Sequence, residues 1–163
     1  MARLTPDGFL KVWIVDTLTS LTAPSLAEIV AGTEVTPFLT RTGLDTPEEG
    51  TDADSSDLSS ARDKSVPATI GGTITGEFFR DDGTGGTTDD AWTAMPRLTI
   101  TNLVIARFGG TGTDNAIQST DTVETWPVRI SQRSNSRLTG GETMRFTVNF
   151  ALRGDPVDGT VAV

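Results

Sequence analysis

The chain has 163 residues, of which 36% are hydrophobic and a further 17 are glycines, and it carries a formal net charge of −9. That length predicts one domain, able to bury about 70% of its unfolded surface without covalent staples. With no Cys and no His, disulfides, thiolate or imidazole metal sites, a Cys nucleophile and a Ser-His-Asp triad are excluded. The eleven Arg and two Lys are scattered through an acidic chain, so a sequence-reading DNA binder is not expected. No apolar run approaches the ~18 residues of a membrane span. Pro6, Asp7 and Lys11 interrupt any signal-peptide core, and the chain is expected to stay in the compartment where it is made.

Threonine accounts for 28 residues. It is β-branched and favours strands, and Gly, Asp and Pro punctuate the Thr-rich runs, so a mainly β protein is predicted. Residues 9–18 form a short apolar run that predicts a strand buried on both faces. Pro24 to Gly32 predicts a short helix, with Ser25 as N-cap, Glu28 completing a capping box and Gly32 as the stop. Residues 35–43 predict a second strand, which Pro37 places at an edge or bulge. Residues 44–66 show no periodicity, and six acids fall between Asp45 and Asp57: Asp45, Glu48, Glu49, Asp52, Asp54 and Asp57. They read as a long acidic loop.

Residues 67–79 predict a third strand. Ile70, Ile74 and Phe78 share one parity with Gly72 and Gly76, and Thr69, Thr73, Thr75 and Glu77 share the other. Residues 80–90 form an acidic glycine loop, and 90–95 one helical turn that docks Trp92. Residues 97–107 predict a fourth strand whose parity shifts near Asn102, as at a bulge. Residues 109–122 read as polar loop. In 124–132, Trp126, Val128 and Ile130 oppose Thr125, Arg129 and Ser131. In 142–153, Met144, Phe146, Val148, Phe150 and Leu152 point to the core and Thr143, Arg145, Thr147 and Asn149 away from it. Residues 154–163 read as a C-terminal arm. The expected fold is a β-sandwich or small barrel with one flanking short α-helix and a long acidic loop.

Chemical motifs are thin. Asp52, Asp54, Ser56 and Asp63 fit positions 1, 3, 5 and 12 of a calcium loop, but Asp57 stands where Gly is needed and no helices flank it. The glycine loops at 83–86 and 109–112 lack the Lys-Ser/Thr ending of a phosphate cradle. Asp81-Asp82 and Asp89-Asp90 could form a glycosidase pair only across an aromatic-lined cleft, and aromatics are 6% of the chain. No catalytic, cofactor or metal site is expected, and no enzyme. The polar parity of the strands, with Thr, Asn and Ser and few Lys, is the kind of surface that lines a wet channel.

Over nearly its whole length the chain resembles the major tail tube proteins of long, non-contractile-tailed bacteriophages. The resemblance runs through KVWIVDTLTSLTAPSLAEIVAGTEVT, FLTRTG, the acidic loop, ATIGGTITGEFFRDD, DTVETWPVRISQ and ETMRFTVNFALRGDPVDGTVAV. It lies in the order and spacing of these segments. It implies a single β domain over 1–163, six copies of which form a ring that contributes strands to an inner β-barrel. Rings stack into a virion tail tube that conducts DNA during ejection, assembled in the host bacterial cytoplasm. The partners implied are further copies of the chain, tape-measure, tail-tip and tail-terminator proteins, and DNA in transit. No membrane insertion and no cofactor is implied.

On that resemblance the barrel strands would be 35–43, 67–79, 124–132 and 142–153. Thr69, Thr73, Thr75, Glu77, Thr147 and Asn149 would face the lumen, and the loop 44–66 would order only on assembly, against neighbouring subunits and the next ring. Arg129 and Arg145 fit an acidic lumen poorly unless acids of a neighbouring subunit pair with them. The rival readings are another virion β-protein, such as a tail terminator or capsid decoration protein, and a receptor- or carbohydrate-binding β-sandwich. The last would need exposed aromatics, and Trp13, Trp92 and Trp126 fall where burial is expected.

Overall fold

A computed structural model describes residues 9–46, 49–54, 65–80, 89–135 and 143–163. The protein is mainly β, with a sheet curled into an open half-barrel. Its strands are β1 (Lys11–Val15), β2 (Thr33–Glu34), β3 (Leu39–Asp45), β6 (Thr73–Phe79), β7 (Ile100–Ala106), β8 (Thr122–Asn135), β9 (Arg145–Leu152) and β10 (Val157–Thr160). Their order is β2-β1-β7-β8-β9-β6-β3, with β10 paired to β8, and every pairing is antiparallel. A separate hairpin joins β4 (Glu49–Asp54) to β5 (Ser65–Gly71).

The long strand β8 ties the molecule together. Its first half pairs with β7 and β10, and its second half with β9. Two cores result. The larger lies inside the curl, where Phe78, Phe146, Val148, Phe150, Val128 and Ile130 meet Val12, Ile14, Leu103 and Ile105. The helix α2 (Asp90–Ala94) closes it with Ala91 and the following Met95, while Trp92 sets its ring edge-on to Phe146, 5.1 Å between centroids. The smaller core is on the other side of β1 and β7. There Trp13, Val15, Val104 and Ala106 pack against Ile29 of helix α1 (Leu26–Ala31), Ile117, Val123 and Val161. The strands β1 and β7 are therefore buried on both faces, which accounts for the unbroken apolar run of the first strand.

Helix α1 forms as its cap signals require. The Ser25 hydroxyl accepts from the Glu28 amide at 3.2 Å, and the Glu28 carboxylate accepts from the Ser25 amide at 3.0 Å. Gly32 ends the helix in extended backbone. A Cβ there would sit 2.7 Å from the Ile14 carbonyl oxygen, so close packing on β1 selects glycine.

Several expectations need correction. Part of the segment 44–66 is strand: β4 pairs with β5, with Glu49 opposite Gly71 and Asp54 opposite Ser65. A ladder needs only backbone groups. The sequence of β4, EGTDAD, has no apolar side to betray it. The predicted third strand is divided at Gly72 into β5 and β6. Pro37 lies in a 3-10 turn, Thr36–Phe38, before β3, which is indeed the edge strand. No bulge stands at Asn102, because β7 keeps unbroken register with both β1 and β8. Its parity changes because the strand passes from one exposed face into burial on both, and the Asn102 amide donates to the Val15 carbonyl at 3.2 Å.

Thr125, expected opposite the core, is buried beside the smaller one. Met144 is 47% exposed, since β9 begins one residue after it. Residues 154–163 are no free arm: β10 lies along β8, Val161 is buried, and Ala162 bridges Ser25.

Candidate functional site

The four strands β8-β9-β6-β3 are consecutive neighbours in the sheet. They are the same four segments that the resemblance assigns to a barrel. Across β6 and β9, Thr73 lies opposite Ala151, Thr75 opposite Asn149, Glu77 opposite Thr147 and Phe79 opposite Arg145. Because side chains alternate along a strand, Thr73, Thr75, Glu77, Thr147 and Asn149 share one face. Ile74, Phe78, Phe146, Val148 and Phe150 are buried on the other. On β8, Ser134 is opposite Thr147 and Gln132 opposite Asn149; on β3, Asp45 is opposite Thr75. Thr69 belongs to β5, outside this sheet. Its side chain lies outside the described residues.

The face satisfies most of its polarity internally. The Thr75 hydroxyl donates to Asn149 Oδ1 at 3.3 Å, and the Thr40 hydroxyl to Glu77 Oε2 at 3.0 Å. Arg145 lies 3.7 Å from that same carboxylate oxygen. The awkward cation of β9 thus has an acid near it within the chain. Hydroxyls, an amide and one neutralised ion pair make a hydrated wall with little to clamp a phosphate. Arg129, opposite Ala151, stays exposed at one end of it.

The other end of these strands carries a cluster that sequence reading missed. The Arg80 and Arg133 guanidinium carbons stand 4.0 Å and 3.5 Å from the Trp92 ring centroid. Arg80 binds Asp89 at 2.5 Å and Asn135 at 3.2 Å. Arg133 donates to the Trp92 and Met95 carbonyls at 2.6 Å and 3.1 Å. Burial, and then the charges of Arg80 and Arg97, hold the Arg133 pKa below the usual arginine value. These arginines are far apart in sequence and only the sheet register brings them together.

The remaining motifs dissolve. Asp52 and Asp54 of the would-be calcium loop lie in β4, opposite Pro67 and Ser65, and Ser56 and Asp63 lie outside the described residues. So do Glu48, Asp57, Asp81-Asp82 and the 83–86 loop. Asp45 ends β3 and is exposed; Glu49 begins β4. Asp89 is held by Arg80 and Asp90 starts α2. The 109–112 glycines form a connector: a Cβ on Gly110 would fall 1.9 Å from the Ala116 carbonyl oxygen. That connector is fixed by buried Asp121, which accepts from the Thr111 and Gln118 amides at 3.0 Å and 2.7 Å. Burial would raise the Asp121 pKa, but those amides win and hold it below the usual value. Among the described residues no three acidic side chains gather as a metal site, and no helix is long and apolar enough to cross a membrane.

A family model described as phage tail tube protein matches residues 1–163. No curated protein matches the chain. Among solved structures, a chain of the six-fold symmetrised cryo-EM structure of the anti-feeding prophage baseplate is similar in fold. Its TM-score is 0.53 at 12% identity, over 97% of each chain.

Proposed function

Since this chain belongs to the phage tail tube protein family, we propose that it forms six-membered rings that stack into a tail tube and pass DNA through a polar lumen. The face of Thr73, Thr75, Glu77, Thr147 and Asn149 carries this reading. Its hydroxyls and amide keep water at the wall, and its carboxylate is paired with Arg145 inside the chain. DNA would slide on such a wall without the multiple cation–phosphate contacts that hold it elsewhere. Thr69 is proposed to continue this lining.

The open edge of β3 supports ring formation. Paired to β6 on one side, it ends the sheet among the described residues, and a sheet edge is a template for a further strand. In a ring that edge meets a neighbour and closes. The similar chain comes from an assembly imaged with six-fold symmetry, which favours six over other ring numbers. Tape-measure, tail-tip and terminator proteins are the further partners. The product is a structural component of a virion tail, long and non-contractile, assembled in the host cytoplasm.

Negative-stain electron microscopy with light scattering, at low and high concentration and with tail fragments as seeds, tests this. Hollow tubes or stacked six-fold rings are expected. A protein that stays monomeric under every one of these conditions overturns the tube. Assembly that stops at single rings favours a terminator.

A further inference from the structure

Four charged residues of β8, β9, β6 and β3 stand on the polar face. Glu77 and Arg145, on the two inner strands, lie 3.7 Å apart. Asp45 and Arg129 stand on the two outer strands, β3 and β8. Both are exposed, and neither makes an ion pair among the described residues. The other cation of β3, Arg41, follows Thr40, whose hydroxyl reaches Glu77, so alternation turns it from this face. Past the end of β9 the Arg153 amide donates to the Pro127 carbonyl at 2.9 Å, and exposed Arg153 and Asp155 add one charge of each sign.

The two outer strands also match in height. Leu39 lies opposite Phe78, Phe78 opposite Phe146 and Phe146 opposite Asn135; Asp45 lies opposite Thr75, Thr75 opposite Asn149 and Asn149 opposite Gln132. Strand β3 therefore spans the same rows as the end of β8. Over Gln132–Asn135 the only ladder partner of β8 among the described residues is β9, as β6 is of β3. Each side of the face thus ends in a strand open over the same rows. Arg129 belongs to the next row, with Ala151 and Thr73. Acid and base therefore differ by one row, or ~7 Å along the strand, within the reach of an extended arginine side chain. Ile100, opposite Arg129 on β7, is 55% exposed and gives the β8 side an apolar flank.

We propose that Asp45 of one copy pairs with Arg129 of the next copy around the ring. The pairing rests on the ring reading and names the charges that set its seam. A ring places the β3 side of one copy against the β8 side of the next, a heterologous contact repeated at every seam. Each seam then joins an unpaired acid to an unpaired base, and all four charges of the face are neutralised. An exposed pair adds little affinity. Its effect is on register, because a slipped or reversed neighbour meets no partner or a like charge. It also keeps the lumen smooth: a circle of unpaired Arg129 side chains would offer phosphates the clamp that the rest of the wall lacks.

Charge reversal tests the pair. Asp45→Arg and Arg129→Glu each put like charges at every seam, and each is expected to raise the concentration needed for ring and tube formation about tenfold. Mixed in equal amounts, each variant supplies the charge that the other's seam lacks. Assembly should return to within about threefold of the parent, through even-membered rings in which the two alternate. Both side chains are exposed, and thermal melts matching the parent's show that the variants fold. A second measurement does not depend on charge. The chain has no Cys, so a short bis-maleimide should link assembled Asp45→Cys/Arg129→Cys copies into a ladder ending at the closed ring, and should give no ladder with either single variant. Parent protein that forms neither rings nor tubes overturns the ring reading itself. Parent assembly with both reversals harmless, or with no recovery in the mixture, overturns the pair and leaves the ring standing. An assembled double-cysteine variant that gives no ladder overturns it too.

Discussion

The two halves of the sheet solve different problems with the same residue types. In the half formed by β3, β6, β9 and the end of β8, one face is core and the other is polar surface. In the half formed by β1, β7 and the start of β8, both faces are covered, one by the curl and the other by α1 and the C-terminal segment. Threonine shows the difference. Thr73, Thr75 and Thr147 stand on the polar face, whereas Thr101 and Thr125 are buried. The first half therefore leaves one polar face uncovered, and the second is packed on both faces.

The largest effect should come from the shared core. Phe150→Ala removes a fully buried ring from β9 and should cost about 3–5 kcal/mol in denaturant unfolding. Thr147→Val, on the opposite face of the same strand, should stay within about 0.5 kcal/mol. A large loss from the threonine change would break the contrast between the two faces.

The doubly covered half depends on polar anchors at its rim. Asp121→Ala takes the buried charged acceptor from the Thr111 and Gln118 amides and should cost about 1–3 kcal/mol, measured by thermal or denaturant melts. Ser25→Ala removes one arm of the capping box and should cost about 1 kcal/mol in the same assay. The other arm titrates. The Thr19 hydroxyl at 2.5 Å, and then the Ser25 and Thr19 amides at 3.0 Å, lower the Glu28 pKa to about 2. Its folded pKa is below its ordinary value, so its stabilisation is complete above about pH 4.5 and is lost as pH falls through about 2. A carboxyl NMR titration should give that low midpoint. Glu28→Gln should flatten this part of the pH dependence of stability.

The same contrast explains what the sequence disclosed. Strand β9 was readable because one face is core and the other solvent, so the period of two is written in FTVNF. Helix α1 was readable because capping is local chemistry between Ser25 and Glu28. Strand β7 misled because a strand buried on both faces has no alternation to keep, and its parity change looked like a bulge. Strand β4 was invisible for the opposite reason: its acidic sequence marks no face. The face of Thr73, Thr75, Glu77, Thr147 and Asn149 followed from parity alone. The Arg80–Trp92–Arg133 cluster did not, since it depends on which strands are neighbours.

The finest test lies in the two buried threonines of the doubly covered half. Thr101 and Thr125 are 1% and 0% exposed. The Thr101 hydroxyl donates to the Val15 carbonyl at 3.1 Å, whereas Thr125 Oγ1 has no partner among the described residues. Valine has nearly the same shape and no hydroxyl. Thr101→Val forfeits a made hydrogen bond and should cost about 0.5–1.5 kcal/mol. Thr125→Val removes a buried polar atom that gains nothing from burial, so stability should rise by up to about 1 kcal/mol. Opposite signs in parallel denaturant melts would show that partners, not burial alone, set the worth of threonine in this half. Equal losses would mean that Thr125 donates to a group outside the described residues.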